Sequence, residues 1–195
     1  MENIKIYISL IAIFLTFFGY VPYIRDTLKQ KTSPHVYTWF IWGLVAAITF
    51  GLQVSAGAGT GSWVTLGIVL SCSTIFILGL RNGKKDITKI DTTFFILSLI
   101  ALFLWLVIKQ PVLSIILVSI VAVLGYIPTI RKSWNKPYSE TLFSYQLNTF
   151  RHSLSFFALQ EYSIITWLYP ISLAIANGLF TLILIIRRKQ LAIQE

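Results

Sequence analysis

Apolar residues fall into seven stretches, each about as long as the roughly 20 residues a helix needs to cross 30 Å of hydrocarbon. They run from Ile4 to Tyr23, Val36 to Ser55, Ser62 to Leu80, Thr92 to Ile108, Pro111 to Ile130, Thr141 to Leu159 and Ile164 to Ile186. The pattern predicts an all-α integral membrane protein with seven transmembrane helices. The first stretch reads as a retained helix, because Met1 to Lys5 is not a basic leader, no small-x-small cleavage site follows, and Pro22 ends the run.

The sixth stretch is the most polar. Its Thr141, Ser144, Tyr145, Asn148, His152 and Ser155 recur at spacings of three and four, which places them on one helical face. Polar groups in hydrocarbon are costly unless they face protein or a water-filled cavity, so this face is expected to line one. In the second stretch the corresponding stripe is His35, Thr38, Trp39, Trp42, Ala46, Thr49 and Gln53.

Composition agrees: 56% of the 195 residues are hydrophobic and 12% are charged. The net charge of +9 raises nucleic acid as a partner, but the distribution of Lys and Arg removes that reading. With the N-terminus outside, the inner loops and tail hold thirteen of them: Arg25, Lys29, Lys31, Arg81, Lys84, Lys85, Lys89, Arg131, Lys132, Lys136, Arg187, Arg188 and Lys189. The outer side holds Lys5 and Lys109. This bias places the N-terminus outside and the C-terminus in the cytoplasm, with a bacterial inner (plasma) membrane as the expected location. It also supports the sixth span, since omitting that span would put Arg187, Arg188 and Lys189 outside.

A single cysteine, Cys72, excludes an internal disulfide framework and clustered-thiolate metal sites; no metal or cofactor is expected. The glycine-rich loop Ala56 to Gly61 lacks the GK[ST] ending of a phosphate cradle and reads as a tight turn.

Residues 19–25 read Gly-Tyr-Val-Pro-Tyr-Ile-Arg and residues 125–131 read Gly-Tyr-Ile-Pro-Thr-Ile-Arg, five of seven being identical at an offset of 106. Extended without a gap to Arg81 and Arg187, the offset gives eleven identities in 63 and aligns the span edges. Each repeat then holds three spans, and the unpaired fourth span restores the direction of entry. The layout is 3+1+3 with parallel repeats: residues 1–81 as one triple-helix bundle, 82–110 as loop and linker helix, and 111–195 as the second bundle with a short basic tail.

This arrangement, with a proline near the cytoplasmic end of each first helix, resembles the SWEET and PQ-loop transporters and the similar PnuC-type vitamin transporters, as a divergent member. The prolines match in Pro22-Tyr23 and Pro128-Thr129, where the family has Pro-Gln. SWEET carriers place an asparagine in the third helix of each bundle; Asn177 fits that position, and its partner here is Ser71. The resemblance implies a carrier that alternates access around a central site.

Candidate substrate-binding residues are Trp39, Trp42, Tyr145, Asn148, Arg151, His152, Asn177 and Ser71. Trp39 and Trp42, three apart, would offer side-by-side aromatic surfaces to a flat ring or sugar face, or mark the interfacial belt. Arg151 stands mid-span, where a charge costs at least ~2.5 kcal/mol, and all seven acids lie in loops or tails. It bonds freed carbonyls, snorkels outward, or receives an anionic substrate group. His152 is either a neutral hydrogen-bonding group or a proton-coupling one. Pro22 and Pro128 are expected hinges, with Tyr20 and Tyr126 as gate residues.

The function expected is a secondary transporter, a facilitator or ion-coupled carrier of a small polar metabolite: an anion, sugar, nucleoside or vitamin. The partners are that small molecule and the lipid bilayer, with room for a homo-oligomer and none for nucleic acid. Intramembrane proteolysis lacks its membrane aspartates and HExxH motif, and a rhodopsin-type sensor lacks a lysine in the seventh span. The alternative is a seven-helix membrane sensor that binds in the same cavity without transport.

Overall fold

A computed structural model describes residues 2–82, 87–108 and 110–194. Lys84, Lys85, Asp86, Lys109 and Glu195, used in the reading of charge, lie outside the described residues. Those described are helical and contain no strand: α1 (Glu2–Leu28), α2 (Val36–Ser55), α3 (Gly61–Asn82), α4 (Lys89–Ile108), α5 (Pro111–Leu124), α6 (Tyr126–Asn135), α7 (Leu142–Phe157) and α8 (Ile164–Gln194), with a short 3-10 turn at Pro137–Ser139. Five stretches among them are long and apolar enough to cross a bilayer: Ile4–Leu28, Val36–Ser55, Gly61–Arg81, Pro111–Asn135 and Ile164–Leu191. The chain is an all-α protein built for a membrane.

Its surface and interior are inverted relative to a water-soluble bundle. On α1, Ser9, Ala12, Thr16, Tyr20, Tyr23 and Thr27 are buried at helical spacings, while Tyr7, Phe14, Phe18 and Val21 are exposed. Thr16 and Thr27 return their hydroxyls to Ala12 and Tyr23 carbonyls, so their burial leaves no donor unpaired. The interior elsewhere holds Arg151, Lys132, Glu140, His35 and Asn177, and the outer face carries Leu70, Ile77, Leu179 and Leu182. Apolar side chains outside and polar groups inside are what hydrocarbon solvent selects.

Around the interior the helices pack in the order α1, α3, α2, α5, α8, α7 and back to α1, with α4 outside the ring against α2, α5 and α6. Thus α3 bridges α1 and α2, α8 bridges α5 and α7, and the middle helix of each group packs on the first helix of the other. The boundaries differ from the sequence expectation in three places. Helix α1 runs unbroken past Pro22 to Leu28 instead of ending at Tyr23. The fifth stretch is interrupted at Gly125, which divides it into α5 and α6. Helix α8 continues into the basic tail, where Arg187 donates to the Trp134 carbonyl and Arg188 to those of Pro137 and Glu140. These tail arginines therefore do structural work beyond setting topology.

At the basic end of the ring, Asp91 ties α4 to both groups of helices. Its carboxylate caps α4 by accepting from the Thr88 N–H and hydroxyl at 2.8 and 2.9 Å. It also takes a two-point contact from Arg131 on α6 at 2.9 and 2.8 Å, and lies 3.3 Å from His35 Nε2 at the start of α2. Burial pulls the Asp91 carboxyl up, but Arg131, Thr88 and His35 outweigh it, so its pKa ends below the usual value. Burial, with the Lys132 and Arg131 charges, pulls His35 down against the opposing Asp91 carboxylate.

Candidate functional site

The Gly-Tyr-x-Pro motif can now be read residue by residue. Gly125 sits where α2 crosses the α5–α6 junction: a Cβ there would come within 2.8 Å of Trp42 Nε1 and 3.2 Å of its Cδ1. Gly19 sits where α7 crosses α1, and a Cβ there would meet Leu147 Cδ2 at 3.2 Å. Both glycines thus allow close approach of the other group's middle helix. The two prolines act unequally. Pro128 cannot donate to the carbonyl four residues back, and side chains of α2 bond the backbone around the junction: Trp42 Nε1 donates to the Ala122 carbonyl at 2.9 Å and the Thr38 hydroxyl to that of Gly125 at 3.0 Å. No such interruption forms at Pro22, so of the two expected hinge positions one lies next to a helix junction and the other within a continuous helix.

The tyrosines of the motif lead inward. Tyr20 and Tyr126 line a central cavity with Trp42, Cys72, Asn148, His152, Tyr169 and Asn177; Ile68 and Leu173 complete it. Every helix of the ring contributes, counting the α5–α6 rod as one. The free volume is only about 20 Å³, room for about one water. Tyr20 and Tyr126, expected as gate residues, line this cavity.

Arg151 stands behind that wall, fully buried. Its guanidinium donates to Asn148 Oδ1 at 3.0 and 3.3 Å and to the Tyr20 hydroxyl at 3.3 Å, and lies over the Tyr20 ring at 5.4 Å. It also contacts His152 Nε2 at 3.0 Å. Arginine has no acceptor, so Nε2 must accept; His152 is thus neutral here, with its proton on Nδ1. Among the described residues Arg151 has no carboxylate partner, and its Nη1 has no hydrogen-bond partner. Snorkelling is excluded by the complete burial.

Other candidates lie elsewhere. Trp39 and Trp42 meet edge-on, 5.2 Å apart at 82°, so they do not form one flat surface. Trp39 points away from the cavity and donates to the Tyr23 hydroxyl at 3.2 Å. Ser71 donates to the Gly67 carbonyl of its own helix; its neighbour Cys72 takes the wall position. Cys72, Ile68 and Leu173 were not legible as site residues, since small and apolar positions on a buried face carry no chemical signal, and Tyr169 stands in a mostly apolar run that does not mark its face.

Tyr145 belongs to a second cluster that seals the cavity toward the basic end. Glu140, just before α7, is buried and accepts from Tyr23 at 2.8 Å and Tyr145 at 2.9 Å, and Lys132 bonds both Glu140 and the Ser33 carbonyl. The cluster joins α1, α6, α7 and the loop before α2. Glu140 lies in a loop, as expected, yet it is the buried centre of this lock, and Lys132 is its counter-ion. Beyond it an open groove of about 680 Å³ is lined by Arg25, Lys31, Asp26 and Arg188. At the opposite end Gln53 accepts from Thr65 at 2.6 Å and donates to the Thr166 carbonyl at 3.4 Å, and Lys5 donates to the Gln160 carbonyl at 3.1 Å. Both ends are closed by contacts crossing between α1–α3 and α5–α8.

Compared with protein-family models, curated proteins and solved structures, the chain finds no match.

Proposed function

We propose that the chain is a secondary carrier in which two parallel triple-helix bundles, 1–81 and 111–195, rock about a central site, joined by a linker helix in a 3+1+3 layout of seven spans. The observation that carries this reading is the cavity itself: all six ring positions wall it, and cross-bundle contacts close it at both ends. The arrangement is that of a carrier caught between its two open forms.

The duplication is supported by the exchanged packing of middle and first helices and by the paired glycine approaches. It is supported further where Ser33 N–H donates to the Ser139 carbonyl at 3.3 Å, since these residues are equivalent at the offset of 106 and meet at the bundle junction. The positive-inside bias puts the Glu140 lock and its groove in the cytoplasm, and the Gln53 closure outside. Opening inward requires Tyr23 and Ser33 to part from Glu140, Lys132 and Ser139; opening outward requires Gln53 to leave Thr166.

The experiment uses proteoliposomes loaded with a mixture of small sugars, nucleosides, vitamins and carboxylates, with release followed by mass spectrometry. The expected result is protein-dependent loss of one chemical class, blocked by a thiol reagent that reaches Cys72. Retention of every class, with one still bound by the detergent-purified protein, favours the membrane sensor over the carrier.

A further inference from the structure

We propose that the central site takes a small aromatic monocarboxylate. The inference deepens the carrier reading and rests on it for flux, though not for binding. Three observations lead to it. Arg151 is a fully buried cation whose partners, Asn148, Tyr20 and His152, are all neutral, and one of its guanidinium nitrogens has no partner. A buried charge without a counter-charge is among the most costly groups a fold can hold, so an anion bound at this wall compensates a charge already in place.

The second observation is that, among the described residues, this buried charge stands alone. The other buried cation, Lys132, is already matched by Glu140. A monoanion leaves the occupied cavity neutral; a dicarboxylate or a phosphate dianion would bury an uncompensated charge of its own. The third is the shape of the wall. Trp42 and Tyr126 meet with ring centroids 4.5 Å apart, Tyr20 and Tyr169 complete the aromatic lining, and Asn177 Oδ1 is a buried acceptor without a donor. Aromatic walls suit a flat body, and the free Asn177 oxygen suits a hydroxyl or N–H on it. In the closed form the cavity holds about one water, so the ligand enters only as the bundles part.

The test compares 4-hydroxybenzoate with 4-hydroxybenzamide, its neutral counterpart of the same shape, and with terephthalate, a dianion, by isothermal titration and thermal shift on the detergent-purified protein. The expected result is that 4-hydroxybenzoate binds about 30-fold or more tightly than either comparison compound. Asn148→Asp is the informative variant, because it places a carboxylate where an amide oxygen already accepts from Arg151 at 3.0 Å. Supplying the missing counter-charge from within, it should raise Tm and abolish 4-hydroxybenzoate binding together. Arg151→Lys, which keeps the charge, should retain weakened binding.

Equal binding of the amide, or unchanged 4-hydroxybenzoate binding in Asn148→Asp, overturns the proposal; so does failure of 4-hydroxybenzoate to bind the folded wild type. If vesicles then release a neutral class, the carrier reading stands and only the substrate class fails. If 4-hydroxybenzoate binds as expected yet is never released from vesicles, the site stands and the carrier reading fails.

Discussion

Lys132→Met should lower stability by about 3–5 kcal/mol, a fall in Tm of about 10 °C or more, because it strands the buried Glu140 carboxylate without its cation. The side chains of both partners are almost wholly buried, so solvent cannot replace the lost charge. Tyr23 and Tyr145 would still donate to Glu140, which limits the loss but does not neutralise the carboxylate. The double variant Lys132→Met/Glu140→Gln removes both charges and should recover more than half of the loss, since a neutral pair avoids the desolvation that each ion suffers alone. Thermal unfolding of the two variants in the same detergent measures this directly. A Lys132→Met protein as stable as wild type would mean that Glu140 is not the buried centre of a lock. The same lock ties α1 and the loop before α2 to α6 and α7, so on the carrier reading the double variant should also favour the form open at the basic end.

Removing the Asp91 carboxylate should have the second-largest effect. Asp91→Ala loses the cap of α4 and the two-point contact with Arg131, together costing about 2–3 kcal/mol. Protons give a finer version of this experiment. The folded pKa of His35 lies below its ordinary value near 6.5, so as pH falls through that value the unfolded chain takes up a proton that the folded chain refuses. Stability is then full above about pH 6.5 and declines as pH drops toward the folded value. Asp91 behaves in the same sense at lower pH: its depressed folded pKa contributes stability above about pH 4 that is lost as pH falls through the folded value. Tm measured from pH 7.5 to 3.5 should therefore fall in two stages. His35→Gln should shrink the first, leaving the part that belongs to His152, which Arg151 holds neutral in the folded chain, and Asp91→Asn should remove the second. A wild-type Tm that stays level from pH 7.5 to 5 would contradict the burial assigned to His35.

How much of this was legible in the sequence depended on whether a residue's partner lay on its own helix. The polar stripe of α7 was legible because helical spacing alone puts Ser144, Tyr145, Asn148, His152 and Ser155 on one face; these five are buried and Arg151 joins them, whereas Thr141, expected on the same stripe, stands at the N-cap of the helix and is half-buried. The Gly-Tyr-x-Pro repeat was visible as a motif, and the structure adds that its glycines meet the other bundle while its tyrosines meet the cavity. Glu140 and Lys132 were not legible as a pair. They sit eight residues apart across a 3-10 turn, and their burial depends on Arg188 of α8 and the Ser33 loop folding over them. Hydropathy assigns such charges to water because it cannot see a distant covering segment. The unequal prolines were hidden for a similar reason: the backbone around the Gly125 junction takes hydrogen bonds from Trp42 and Thr38, whereas Pro22 sits in a helix that simply continues.

In the carrier reading one cavity faces each side of the membrane in turn, and Cys72 reports on it without engineering. It is the only cysteine in the chain, it is buried, and it lines the cavity wall. The most direct measurement is the rate at which a small, membrane-impermeant thiol reagent modifies Cys72 when added to either side of vesicles holding the protein in a known orientation. A carrier exposes the cavity alternately, so modification should proceed from both sides, and a bound substrate should slow it from both. Modification from one side only, or from neither while the protein remains folded, would contradict alternating access.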